Sequence, residues 1–77
     1  MIKMPVHFRH SDDIVEFVKI VSQYPFHMDL VSGNHAVDAK SLMGTLALGS
    51  AAGLSLMIHS NPSPSTEQLL SQVACFI

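Results

Sequence analysis

The chain has 77 residues, 48% hydrophobic and 13% charged, with a formal net charge of −2. At roughly 100–200 residues per domain this leaves room for a single core and one domain spanning residues 1–77. High apolar content excludes a disordered acidic tail, four Lys and Arg residues are too few for the basic stripe of a nucleic-acid binder, and a lone Cys75 excludes a disulfide scaffold. So short a chain buries only about 60% of its unfolded surface, so some apolar surface is expected to remain open to a partner.

The first eight residues, Met1 to Phe8, alternate and carry charge, unlike the continuous apolar stretch of a secretory leader. The longest weakly polar stretch, Leu42 to Ile58, contains Gly44, Gly49 and Gly53 and falls short of the roughly 20 apolar residues of a membrane span. A soluble cytoplasmic protein with a reduced thiol, and no membrane partner, is the expectation.

In chain order, residues 2–8 predict a strand, with Ile2, Met4, Val6 and Phe8 on one face and Lys3, Pro5 and His7 on the other. Pro5 has no N–H for a ladder, which suits an edge strand. Ser11 to Gln23 predicts a helix with Ile14, Phe17, Val18 and Val21 as its apolar stripe. Ser11 is the expected N-cap, Asp12 and Asp13 suit the positive end of the dipole, and Asp13 with Glu16 has capping-box spacing. Tyr24-Pro25 ends it. Two short strands, 26–32 and 35–39, follow around Gly33-Asn34, a type II′ or I′ hairpin signal. Phe26, Met28 and Leu30 are expected inward, His27 and Asp29 outward. Ser41 caps a short helix to Leu48, with Leu42, Leu46 and Met43 as its buried side and Gly49 closing it. Leu54 to His59 is a fourth strand. Ser65 or Thr66 caps a last helix with a stripe of Leu69, Leu70, Val73 and Phe76. The order is βαββαβα, an α+β layer architecture with three helices on one sheet face.

The run Asp38-Ala39-Lys40-Ser41-Leu42-Met43-Gly44, then Leu46, Leu48, Gly49 and Gly53, resembles the HPr phosphocarrier family of the bacterial sugar phosphotransferase system. The family pattern there is N-A-K-S-I-M-G, a Leu-Gly helix end, a Gly and a strand. The specific match covers about residues 30–58; the first 25 match in element type alone. The resemblance implies an HPr-like open-faced β-sandwich with a four-stranded antiparallel sheet ordered first, fourth, second, third. It implies no cofactor, and protein partners drawn from enzyme I, HPr kinase/phosphorylase or a transcriptional regulator of carbon metabolism. Ser41 takes the place of the family's regulatory serine, which that kinase phosphorylates. The family's first helix and short helix frame its docking surface, which here would use Met43, Leu46, Leu48 and Met57.

The phosphotransfer half of the pattern differs. The family carries Gly-Leu-His-Ala-Arg-Pro at the start of the first helix, where free N–H groups and an Arg hold the phosphoryl oxygens. This chain has Phe8-Arg9-His10-Ser11-Asp12-Asp13. An ungapped alignment puts His10 on the family's histidine, with Ser11, Asp12 and Asp13 in place of Ala, Arg and Pro. Each carboxylate repels a phosphate by about 4 kcal/mol per unit charge pair at about 4 Å and an effective dielectric of about 20; Arg9 offsets part of this. The expectation is a small regulatory or interaction protein without enzymatic activity, altered at the histidine site and with Ser41 as a phospho-switch. The alternative is an active phosphocarrier relaying phosphate from enzyme I to sugar permeases through His10, with Arg9 as counter-charge.

Three histidines, His7, His27 and His59, fall on the outer sheet face. In the family's strand order His27 and His59 become cross-strand neighbours, and with Asp29 they could supply zinc or copper ligands. The sequence has no metal-ligand spacing, so polar residues of a wet sheet face are the reading adopted, with no metal assigned. Cys75 lacks an adjacent base and is expected as a small core residue.

Overall fold

The computed structural model describes residues 1–77. The elements follow the order β1 (Ile2–Pro5), α1 (Ser11–Val21), β2 (Met28–Ser32), β3 (His35–Asp38), α2 (Leu42–Leu48), β4 (Ser55–Ile58) and α3 (Pro64–Val73), with a 3₁₀ turn at Ala74–Phe76. The four strands form one antiparallel sheet ordered β1-β4-β2-β3. This is the expected α+β fold and the expected strand order.

Side-chain alternation fixes the sheet's two faces. Met28, Leu30, Leu56 and Ile58 are fully buried beneath the helices, while Asp29 and Met57, paired in register, lie on the open face. β1 is an edge strand, which accommodates Pro5 opposite Ser55. Beyond β1 the chain stays attached: the Val6 N–H donates to the Leu54 carbonyl at 3.0 Å, and the His7 N–H to the Phe76 carbonyl. At that corner Phe8, Phe17 and Phe76 form a three-ring cluster with centroids 5.1–5.8 Å apart. It ties the strand's exit, α1 and the chain's end into one core.

The hairpin between β2 and β3 pairs Ser32 with His35. Gly33 has φ +57° and no other turn residue has positive φ, which decides for type II′, because type I′ needs two such residues.

Several expectations are corrected. The N-cap of α1 is His10, in extended conformation, not Ser11. The reason is Asp13: its Oδ2 accepts the Arg9 N–H at 2.9 Å, so the carboxylate reaches back across the first turn and sets the helix start one residue earlier. Val18 is only half-buried; Ile14, Phe17 and Val21 form the buried stripe. The N-cap of α3 is Ser63, not Ser65 or Thr66. Ser63 and Thr66 make a reciprocal capping box, with Pro64 at the first helical position, where a missing N–H costs nothing.

The buried side of α2 is also corrected. Leu42, Met43 and Leu46 are exposed, and Thr45 and Gly49 are buried instead. Thr45 donates its hydroxyl to the Ala39 carbonyl at 3.3 Å. Gly49 does close the helix, but in right-handed conformation (φ −64°), so no left-handed cap explains it. A Cβ there would collide with the δ-methyl of Ile14 on α1. The close approach of α1 and the nearby Thr45 carbonyl of α2 itself together account for the glycine. Cys75 is exposed rather than buried, because the tightened last turn points Phe76 inward in its place.

Candidate functional site

The start of α1 combines several of the expected site residues. His10, as N-cap, makes no side-chain cap bond, and its side chain is 67% exposed. Its Nδ1 lies 3.8 Å from Asp13 Oδ1. Asp13 thus faces the imidazole with one oxygen and accepts the Arg9 backbone N–H with the other. Phe8, Arg9, His10 and Ser11 line one wall of a shallow cleft, and Leu46, Gly49 and Ser50 line the other. The guanidinium of Arg9 makes no ion pair. The cleft is therefore bounded by an imidazole and an uncommitted cation, with the apolar edge of α2 opposite, and the Asp13 carboxylate stands 3.8 Å from the imidazole. Ser50 went unnoticed in the sequence, since it follows the helix end and belongs to no motif.

Chemically, a helix start with exposed N–H groups attracts an anion. Here two carboxylates share that helix start: Asp13 accepts the Arg9 N–H just ahead of the helix, and Asp12 is exposed beside it. A phosphoryl group on His10 would meet the Asp13 carboxylate directly, while Arg9 is placed to balance only one of the two charges.

Ser41 is the exposed N-cap of α2 and its Oγ accepts the Gly44 N–H at 3.3 Å. The neighbouring Lys40 is not available to a group on Ser41. Its Nζ donates to the Tyr24 carbonyl at 2.6 Å, and its backbone N–H to Asp38 Oδ1 at 2.9 Å.

Leu42, Met43 and Leu46 stand together on the outer side of α2, with Met43 79% exposed. Leu48 is half-buried against the core. Met57 lies on the open sheet face, away from α2, so the expected four-residue patch is not one surface. What remains is a helical ridge of three apolar residues next to the His10 cleft, which Leu46 joins to it.

On the opposite side of the molecule the structure brings His27, Asp29 and His59 together, with ligand atoms within 4.8 Å of one another. His7 is also exposed but sits at the other end of β1, hydrogen-bonded through its backbone to Phe76.

No protein-family model matches the sequence, and no curated protein matches it significantly. Among solved structures, HPr-C-His from Thermoanaerobacter tengcongensis superimposes with a TM-score of 0.70 and 20% identity, over 96% of this chain and 85% of that one. The histidine-containing phosphocarrier protein of a Mycoplasma superimposes with a TM-score of 0.67 and 13% identity, over 96% of this chain and 86% of that one. The fold is that of the HPr phosphocarriers. No helix is long and apolar enough to cross a membrane.

Proposed function

We propose that this chain is a small, cytoplasmic regulatory or interaction protein of the bacterial phosphotransferase system, and that it does not relay phosphate through His10. One observation carries the second half of this reading: the Asp13 carboxylate stands 3.8 Å from the imidazole at the start of α1, where it repels an incoming phosphoryl group. The first half rests on the HPr-like fold and on the apolar ridge of Leu42, Met43 and Leu46, which a protein partner would cover. Ser41, exposed at the head of that ridge, is the residue whose phosphorylation would change docking by placing a dianion at the edge of the apolar surface.

An active phosphocarrier is the second reading, and the exposed imidazole of His10 beside the uncommitted Arg9 favours it. Incubation with enzyme I and phosphoenolpyruvate, and separately with HPr kinase and ATP, followed by intact-mass measurement, separates the two. The expected result is no acid-labile phosphate from enzyme I, and one acid-stable phosphate from the kinase that Ser41→Ala abolishes. Stoichiometric acid-labile phosphate on His10 would overturn the first reading.

A further inference from the structure

We propose that His27, Asp29 and His59 form a binding site for a zinc-type divalent transition-metal ion on the open face of the sheet. This surface is remote from the His10 cleft, and the inference is independent of the function proposed above.

The site is set by strand pairing. β2 and β4 are in register with Met28 opposite Ile58, which puts His27 opposite His59 one step further along. The backbone locks the pair, since the His59 N–H donates to the His27 carbonyl at 2.9 Å. The imidazole centroids lie 4.9 Å apart. Asp29 is two residues beyond His27 and so projects from the same face. Its two carboxylate oxygens divide between the rings: His59 Nε2 is hydrogen-bonded to Oδ2 at 2.9 Å, a contact that a bound ion would replace, and His27 Nε2 is 3.4 Å from Oδ1.

These separations suit a tetrahedral ion. With bonds of about 2.0–2.1 Å, the ligands of a zinc ion stand about 3.3 Å apart. The two carboxylate–imidazole distances, one to each Asp29 oxygen, lie near that edge, and one ligand atom from each of the three residues stands within 4.8 Å of the others. His27 has the freest side chain of the three and closes the remaining distance by rotation. Two imidazoles and one carboxylate leave a fourth position for water. Such a donor set favours zinc, nickel or copper over magnesium and calcium, which prefer oxygen ligands.

The surrounding charges point the same way. Asp29 is paired in register across β2 and β3 with Asp38, whose Oδ1 accepts the Lys40 N–H, so two carboxylates occupy cross-strand positions on neighbouring strands, where like charges repel. No Lys or Arg forms an ion pair with either. Lys3 shares the face but lies beyond Met57, two strands from Asp29. A dication between Asp29 and the histidines supplies the missing positive charge.

Calorimetric titration of the tag-free protein with zinc chloride tests this. The expected result is one zinc per chain, with no binding of magnesium. His27→Gln and His59→Gln each weaken zinc at least tenfold, and Asp29→Asn weakens it measurably, whereas His7→Gln and His35→Gln change nothing. The His27 side chain is mostly solvent-exposed, so His27→Gln keeps the fold, which circular dichroism verifies. Zinc should also raise the thermal midpoint of the wild type and not that of His27→Gln. Absence of binding, binding that survives His27→Gln, or half an equivalent of zinc accompanied by dimerisation would each overturn a site completed within one chain.

Discussion

Substituting Gly49 by alanine tests how α1 and α2 are held at the edge of the His10 cleft. The new Cβ would overlap the δ-methyl of Ile14 and come within 3.3 Å of its Cγ1, while the Thr45 carbonyl would lie 2.8 Å away. Overpacking of this kind costs about 1–3 kcal/mol. Because Gly49 already has φ −64°, alanine recovers about 0.4–1 kcal/mol by restricting the unfolded chain. The net expectation is a loss of about 1–2 kcal/mol, or a drop in Tm of several degrees at about 4–8 °C per kcal/mol. Ile14→Val removes the clashing methyl and alone costs about 0.5–1.5 kcal/mol. In the double variant the two losses should fall short of their sum by about 1 kcal/mol, because the methyl conflict disappears. Rescue is partial, since the Thr45 carbonyl is backbone and stays in place. Urea unfolding of the four proteins in a double-mutant cycle reads the coupling directly. Strictly additive losses would refute the claim that the approach of α1 to α2 helps account for this glycine.

Other perturbations address the caps, the ridge and the phosphoryl site. Ser63→Ala should destabilise the protein by about 1 kcal/mol, whereas Ser65→Ala, lying outside the capping box, should stay within about 0.5 kcal/mol in the same urea assay. Met43→Asp should leave stability within about 0.5 kcal/mol, because the side chain is exposed, yet weaken a docked partner at least tenfold by titration; unchanged affinity would remove the ridge from the interface. Asp12→Arg combined with Asp13→Asn should raise acid-labile phosphate from enzyme I at least tenfold over the wild type, read by intact mass. An unchanged yield would show that charge is not the barrier at His10.

The sheet was legible in the sequence because its inner face is continuous and apolar. Met28 and Leu30 flank Asp29, and Leu56 and Ile58 recur at the same spacing between Ser55 and His59, so a period of two places all four on one face. Residue type alone misplaces the cap of α3 at Ser65 or Thr66, although Pro64 carries the signal: a proline at the first helical position places the cap one residue earlier, at Ser63. The seven-residue α2 is different. Hydrophobicity assigned Leu42, Met43 and Leu46 to the core, whereas the close approach of α1 admits only Thr45 and Gly49. A helix of two turns carries too few residues for periodicity to overrule such a packing constraint.

The same limit applies at the start of α1, where it bears on function. Ser11 is the better N-cap by residue type, yet His10 holds the position because Asp13 binds the Arg9 N–H across the turn. That one-residue shift places the imidazole at the head of the helix rather than before it. It also turns Asp13 from a residue of favourable helix charge into the group that faces the imidazole. The sequence places two carboxylates near His10; only the structure shows which one faces the imidazole. Similarly, the sequence separates His27 from His59 by 32 positions, and only the β2–β4 register makes them a pair with Asp29 between their Nε2 atoms. On both faces of this protein the chemistry resides in contacts that strand register and helix capping create, which is why substitutions at Asp13 and His27 test it more directly than any change in the core.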